Sequence, residues 1–191
     1  MAVSSMMLPL GTPAPSFTLP DVVSPRLYSL DSFVGKAALL FIFMCRHCPY
    51  VVHVQSEIAK IGQDYLDTGL GIIGISSNDP AHYPDDAPER VKEMAQQLKF
   101  RFPLCFDETQ EVAKAYKAAC TPEFYLFDAQ RRLVYRGQLD DSRPGNNKPD
   151  TGRDLRAAID RLLAGNPVDS NQKPSIGCSI KCKRGNAPTY A

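Results

Sequence analysis

Two nearly uninterrupted apolar stretches, ALLFIFM (38–44) and LGIIGIS (70–76), constrain this chain more than any other feature. A strand with one wet face alternates apolar and polar side chains, so a strand that is apolar throughout must be covered on both faces. Between the two stretches, Val51, Val54, Ile58, Ile61 and Tyr65 recur at steps of three and four, with His53, Gln55, Glu57, Lys60, Gln63 and Asp64 mostly between them. This is the pattern of an amphipathic helix. Asp67, Thr68 and Gly69 are expected to end it, with Gly69 just past the helix C-terminus.

The same reading continues down the chain. After a loop rich in Pro and Asp (78–88), ERVKEMAQQLK reads as a helix and FPLCFD (102–107) as a short strand. ETQEVAKAYKA (108–118) reads as a third helix, EFYLFD (123–128) with RRLVYRGQ (131–138) as a hairpin, and 152–165 as a last helix. The order β-α-β-α-β-α-β-β-α implies an α/β fold: a central mixed sheet with helices on both faces and a C-terminal antiparallel hairpin. The expected domain spans 1–167. Residues 168–191 form a tail without periodicity, and the first element is expected near Phe17. The pattern G-x-G-x-x-G occurs at Gly69–Gly74, but a dinucleotide site needs a strand turning into a helix. Here a helix ends and a strand begins, so no nucleotide cofactor is expected.

The chain of 191 residues is long enough for one domain with a proper core. Its formal net charge of +1 gives no field that would draw nucleic acid or an anionic membrane. The N-terminus lacks the basic and apolar regions of a secretory signal, and no apolar run approaches the roughly 20 residues needed to cross a bilayer. A reducing cytoplasm is the expected setting. There, structural disulfides are rare, and the C-x-x-C formed by two of the six cysteines points to metal binding or redox chemistry.

That pair, Cys45 and Cys48 in MCRHCPY, falls where the first buried strand gives way to the helix. Pro49 suits the first helical position, because its missing N–H has no partner there in any case. It also biases Cys48 away from helical backbone, so Cys48 is expected at the cap with Cys45 just outside. Unpaired N–H groups and the helix dipole favour negative charge at this end. A thiolate is thereby stabilised, and Arg46 and His47 are placed to add to the effect. The spacing suits thiol–disulfide exchange: one cysteine attacks a substrate disulfide and the other resolves the mixed disulfide. Zinc is the competing reading. It needs four ligands, and the remaining close pair, Cys178 and Cys182, stands far away with three residues between its members.

The phrases GTPAPSFTLPD, CRHCPYVVH, SNDPAHYPDD, CTPEFYLFD and PSIGCSIK together resemble the peroxiredoxin-like, thioredoxin-fold branch of the alkyl hydroperoxide reductase/thiol-specific antioxidant family, over residues 9–185. The resemblance implies a thioredoxin-like fold and thiol–disulfide oxidoreductase activity without a cofactor. It implies a protein or small-molecule disulfide as substrate and an external thiol as reductant. Cys45 matches the usual nucleophile and Cys48 its resolving partner. Pro122 matches a cis-proline facing the pair, with Thr121 before it in the substrate groove. The chain departs from true peroxiredoxins, whose peroxidatic cysteine aligns with Cys48. They carry Thr where this chain has Cys45, and an Arg near the position of Pro122 and Glu123. An atypical peroxidase using Cys48 is the alternative activity, without those donors to a peroxide oxygen.

The remaining cysteines divide. Cys120, two residues before Pro122, is expected near the pair, either as a small buried apolar group or with a redox role. Cys105 is expected in the core. The resemblance includes PSIGCSIK, so a folded-back tail would offer Cys178 as a third exchange partner, with Cys182 less favoured. A tail-linked redox sensor and a four-cysteine metal module are two further readings. His53 is expected as an ordinary surface residue. Asp85, Asp86 and Glu89 are expected to favour a helix N-terminus and do not match a calcium loop.

Overall fold

The computed structural model describes residues 2–190. In chain order the first elements are β1 (Ala2–Ser4), β2 (Thr18–Pro20), β3 (Leu27–Ser29), β4 (Ala38–Phe43), α1 (Pro49–Asp64) and β5 (Leu70–Ser76). Next come α2 (Pro88–Gln97), β6 (Leu104–Phe106), α3 (Glu111–Ala115), β7 (Cys120–Thr121) and β8 (Glu123–Phe127). The last are β9 (Leu133–Gly137), α4 (Arg153–Leu163) and β10 (Ile176–Ser179). Short 3-10 turns occupy Leu30–Phe33 and Pro84–Asp86.

The central sheet has the order β6-β5-β4-β8-β9. β4, β5 and β6 run parallel, whereas β8 is antiparallel to β4 and β9 to β8. Every residue of β4 and β5 is buried, as their apolar composition demands. One face carries Leu40, Ile42 and Phe124 against the apolar sides of α1, α2 and α4. The other carries Phe41, Phe43 and Tyr125 against α3 and the β2–β3 hairpin. The α1 stripe of Val51, Val54, Ile58 and Ile61 is buried as its spacing requires.

Three expectations need correction. The helix expected over 108–118 begins only at Glu111. Gln110 adopts a positive φ of 64°, and Asp107 turns its carboxylate to the free amides of Val112 and Ala113. Gly69 does not cap α1, which ends at Asp64; its φ of 86° instead turns the chain into β5. The first element lies not near Phe17 but at β1, Ala2–Ser4. The tail beyond Pro167, for which a folded-back course is one expectation, holds β10. β10 lies between β1 and β7, antiparallel to both, in a separate three-stranded sheet. Its four residues are too few and too mixed for a hydrophobic period to show.

Candidate active site at the start of helix α1

Cys48 is the N-cap of α1, with extended backbone, and Pro49 follows as the first helical residue. Cys45 precedes it in the short loop leaving β4. Both are buried, with 1% and 0% of their surface exposed. They converge on one residue of β7: Cys45 Sγ lies 3.3 Å from Thr121 Oγ1, and Cys48 Sγ lies 3.2 Å from Thr121 O. The Thr121–Pro122 peptide bond is cis.

The two thiols also influence each other's ionisation, in opposite directions. Cys48 is held below the ordinary thiol range by the Cys45 S–H, with further help from the Cys178 thiol, the Thr121 hydroxyl and the backbone N–H of Val51 in the first helical turn. Burial opposes this. So does the Thr121 carbonyl, which can accept only from a protonated Cys48. The converging donors outweigh both. Cys45 is raised by sharing its proton with Cys48, by burial and by the nearby Asp86 carboxylate. Within the reduced pair these surroundings favour the thiolate at Cys48 over Cys45.

Asp86 builds the loop. It is fully buried, and Oδ1 accepts from the backbone N–H groups of Arg46 at 2.8 Å and His47 at 3.1 Å. Oδ2 accepts from Asn78 Nδ2 at 2.7 Å and also meets His47 Nδ1. The acidic residue expected to serve a helix dipole instead clamps the residues between the cysteines. Nothing in sequence separated by some 40 positions signals that contact. Asp85 makes a 3.6 Å ion pair with Arg46, and Glu93 a looser one at 4.0 Å. His47 stacks on Tyr83 with ring centres 5.4 Å apart. Both side chains within the motif thus make their polar and stacking contacts with residues in 83–93, while the His47 ring also stays within 4.8 Å of Cys45 Sγ.

Cys45, His47 and Asp86 bring potential metal-ligand atoms within 4.8 Å of one another. Both Asp86 oxygens are already engaged, and a structural zinc site requires four ligands. Cys182 packs beside Ala113, Lys114 and Tyr190, while Cys178 packs against the core that contains Cys48. The tail cysteines therefore do not jointly complete a set of four thiolate ligands.

Cys120 is buried, with its Sγ 3.8 Å from Glu123 Oε2; burial and that carboxylate push its thiol up, so it stays protonated. Glu123 also accepts from the Ala119 and Cys120 amides at 2.8 and 3.2 Å, and from the Tyr125 hydroxyl at 2.7 Å. Cys105 lies in the core, where burial pushes its thiol up to about 12. His53, expected on the open surface, is half-buried and pairs with Ser142 Oγ at 2.7 Å.

A protein from Geobacillus kaustophilus, described as an uncharacterized conserved protein, shares this structure with a TM-score of 0.94 and 52% identity, over 96% of this chain and 97% of its own. The thioredoxin domain of a Bacteroides vulgatus thiol-disulfide oxidoreductase superposes with a TM-score of 0.60 at 21% identity, covering 78% of this chain and 96% of that one; the fold is thioredoxin-like. In sequence, the thiol-disulfide oxidoreductase ResA of Bacillus thuringiensis is 24% identical over 127 residues, 65% of this chain and 67% of its own. A Mycobacterium tuberculosis protein whose name assigns it provisionally to the peroxiredoxins is 26% identical over 115 residues, 60% of this chain and 68% of its own. Residues 9–155 match the Redoxin family, to which this chain belongs.

Proposed function

We propose that the protein is a thiol–disulfide oxidoreductase whose working groups are Cys45 and Cys48. The observation that carries this reading is the convergence of two buried thiols at the start of α1 on Thr121. Kinship with proteins named as thiol-disulfide oxidoreductases supports it. Cys48 acts as the attacking thiolate and Cys45 as the resolving thiol, the reverse of the roles that the resemblance implied. The reduced pair gives two electrons to a protein or small-molecule disulfide, leaving a Cys45–Cys48 bridge and two substrate thiols. An external thiol then regenerates the pair, and no organic cofactor takes part. A reducing, cytoplasmic setting suits this cycle.

The lowered Cys48 thiol also favours a second reading, a peroxidase. Its first step would be attack of that sulfur on a peroxide, giving a sulfenic acid. One experiment separates the two: titrate the full chain in glutathione buffers with disulfides mapped by mass spectrometry, and measure oxidation by hydrogen peroxide in parallel. A reversible Cys45–Cys48 bridge, at a potential between about −120 and −270 mV, is expected. No bridge at any buffer ratio would sink the oxidoreductase reading. Oxidation of Cys48 by peroxide far faster than by glutathione disulfide would favour the peroxidase.

A further inference from the structure

The inner pair is sealed, and the strand that seals it carries a thiol. β10 lies along β7 with Cys178 opposite Thr121, the residue on which both inner sulfurs converge. Cys178 is half-buried, whereas Cys45 and Cys48 are almost wholly covered. Cys178 packs against the core cluster that contains Cys48, close enough for the two thiols to influence each other's ionisation. The three sulfurs therefore form a chain from surface to interior, with Cys48 in the middle.

The strand is fitted to this place. A Cβ on Gly177 would stand 2.0 Å from Thr121 O, so only glycine lets β10 approach the Thr121–Pro122 segment so closely. The chain after β10 is tied to the clamp that shapes the motif. Lys181 N donates to Asn78 Oδ1 at 2.8 Å, and Asn78 Nδ2 donates to Asp86 Oδ2. Asp79 N and Gln110 Nε2 donate to Lys181 O at 2.8 and 2.9 Å. The free edge of β7 is thus filled by the protein's own tail, and an incoming disulfide meets Cys178 first.

We infer that Cys178 is the entry thiol of a three-cysteine relay, exchanging with external disulfides and passing oxidation inward through a Cys48–Cys178 bridge. This rests on the oxidoreductase reading of the inner pair. In the first step Cys178 loses its proton and attacks an external disulfide RSSR, forming Cys178–S–S–R and releasing RS⁻. The Cys48 thiolate then attacks Cys178 Sγ, expelling a second RS⁻ and forming Cys48–Cys178. Finally Cys45 gives its proton to the departing Cys178 sulfur and attacks Cys48 Sγ, leaving Cys45–Cys48 and a free Cys178 thiol. Two electrons pass from the inner pair to RSSR, and each RS⁻ takes up a proton. The reductive half-cycle is the reverse.

The test uses glutathione disulfide on the full chain. Oxidised Cys45→Ser should contain a Cys48–Cys178 bridge; a glutathione adduct at Cys48 in its place would overturn the relay. In Cys178→Ser, formation of the Cys45–Cys48 bridge should slow at least tenfold, and a wild-type rate would overturn the relay. Adding Gly177→Ala to the Cys45→Ser background keeps Cys178 but displaces the strand. It should cut the yield of the Cys48–Cys178 bridge at least tenfold, and an undiminished yield would overturn the role assigned to β10. Failure of the underlying reading looks different: the wild-type chain would then lack the Cys45–Cys48 bridge at equilibrium, whatever Cys45→Ser forms.

Discussion

At the scale of single residues, the site depends on Asp86 more than on Arg46 or His47, the two side chains inside the motif. Its carboxylate accepts from two backbone amides, an asparagine and a histidine while wholly buried. Removing it in Asp86→Ala strands several buried donors, each costing about 1–3 kcal/mol. We expect a loss of roughly 3 kcal/mol or more in urea unfolding of the reduced protein. Asp86→Asn keeps the shape but removes the charge that raises Cys45, so the Cys45 thiol should titrate at lower pH than in the wild type, read from thiolate absorbance. The thiols also predict opposite pH responses. Cys48 is lowered on folding, so its contribution to stability is present above the unfolded thiol pKa and fades as pH falls through the depressed folded value. Cys178 is pushed up to about 11 by burial and by its neighbour Cys48. Its alkylation should therefore rise about tenfold per pH unit through the neutral and mildly alkaline range, because only the thiolate reacts. A flat profile at Cys178 would show that the charge is not shared as described. The cysteines and Thr121–Pro122 were legible from spacing and resemblance. Asp86 was not, since a buried carboxylate and a helix-start carboxylate look alike in sequence.

At the scale of elements, α1 places the pair, and α4 holds α1. Glu57 lies on the buried side of α1 and meets Arg156 of α4 at 2.6 Å; the same guanidinium reaches Asp64 at 2.8 Å. Breaking one side of a buried ion pair is worse than never having made it, because the remaining charge stays desolvated. Arg156→Ala should cost about 3 kcal/mol in chemical denaturation, and much less in a Glu57→Gln background, where no buried charge is left behind. The helix–strand alternation was readable because β4, β5 and α1 bury whole faces, and burial of a face imposes a period. α3 was overextended in the sequence reading because helical composition continues through residues whose backbone is turned aside at Gln110. No pattern of hydrophobicity records a single positive φ.

At the scale of the whole molecule, the tail joins the two ends of the chain across the site. β10 lies between β1 and β7, and Ser175 adds bonds to Ser5 N at 2.9 Å and Gly137 O at 2.5 Å. A Cys48–Cys178 bridge would close a loop of most of the chain, whereas Cys45–Cys48 closes one turn. The longer closure restricts the unfolded chain far more, by about 4 kcal/mol on a loop-entropy estimate. Oxidised Cys45→Ser should accordingly melt well above its reduced form, and equal melting temperatures would argue against that bridge. The sequence by itself determined the central sheet, the flanking helices and the strand-to-helix junction with two thiols, because each follows from a periodic burial pattern or a local backbone preference. Tertiary structure alone decided what surrounds each thiol, what clamps the loop and what covers the pair. Those outcomes depend on Asp86, Thr121 and Cys178, which are remote along the chain from the cysteines they act on, and on a glycine whose missing side chain lets one strand close over another.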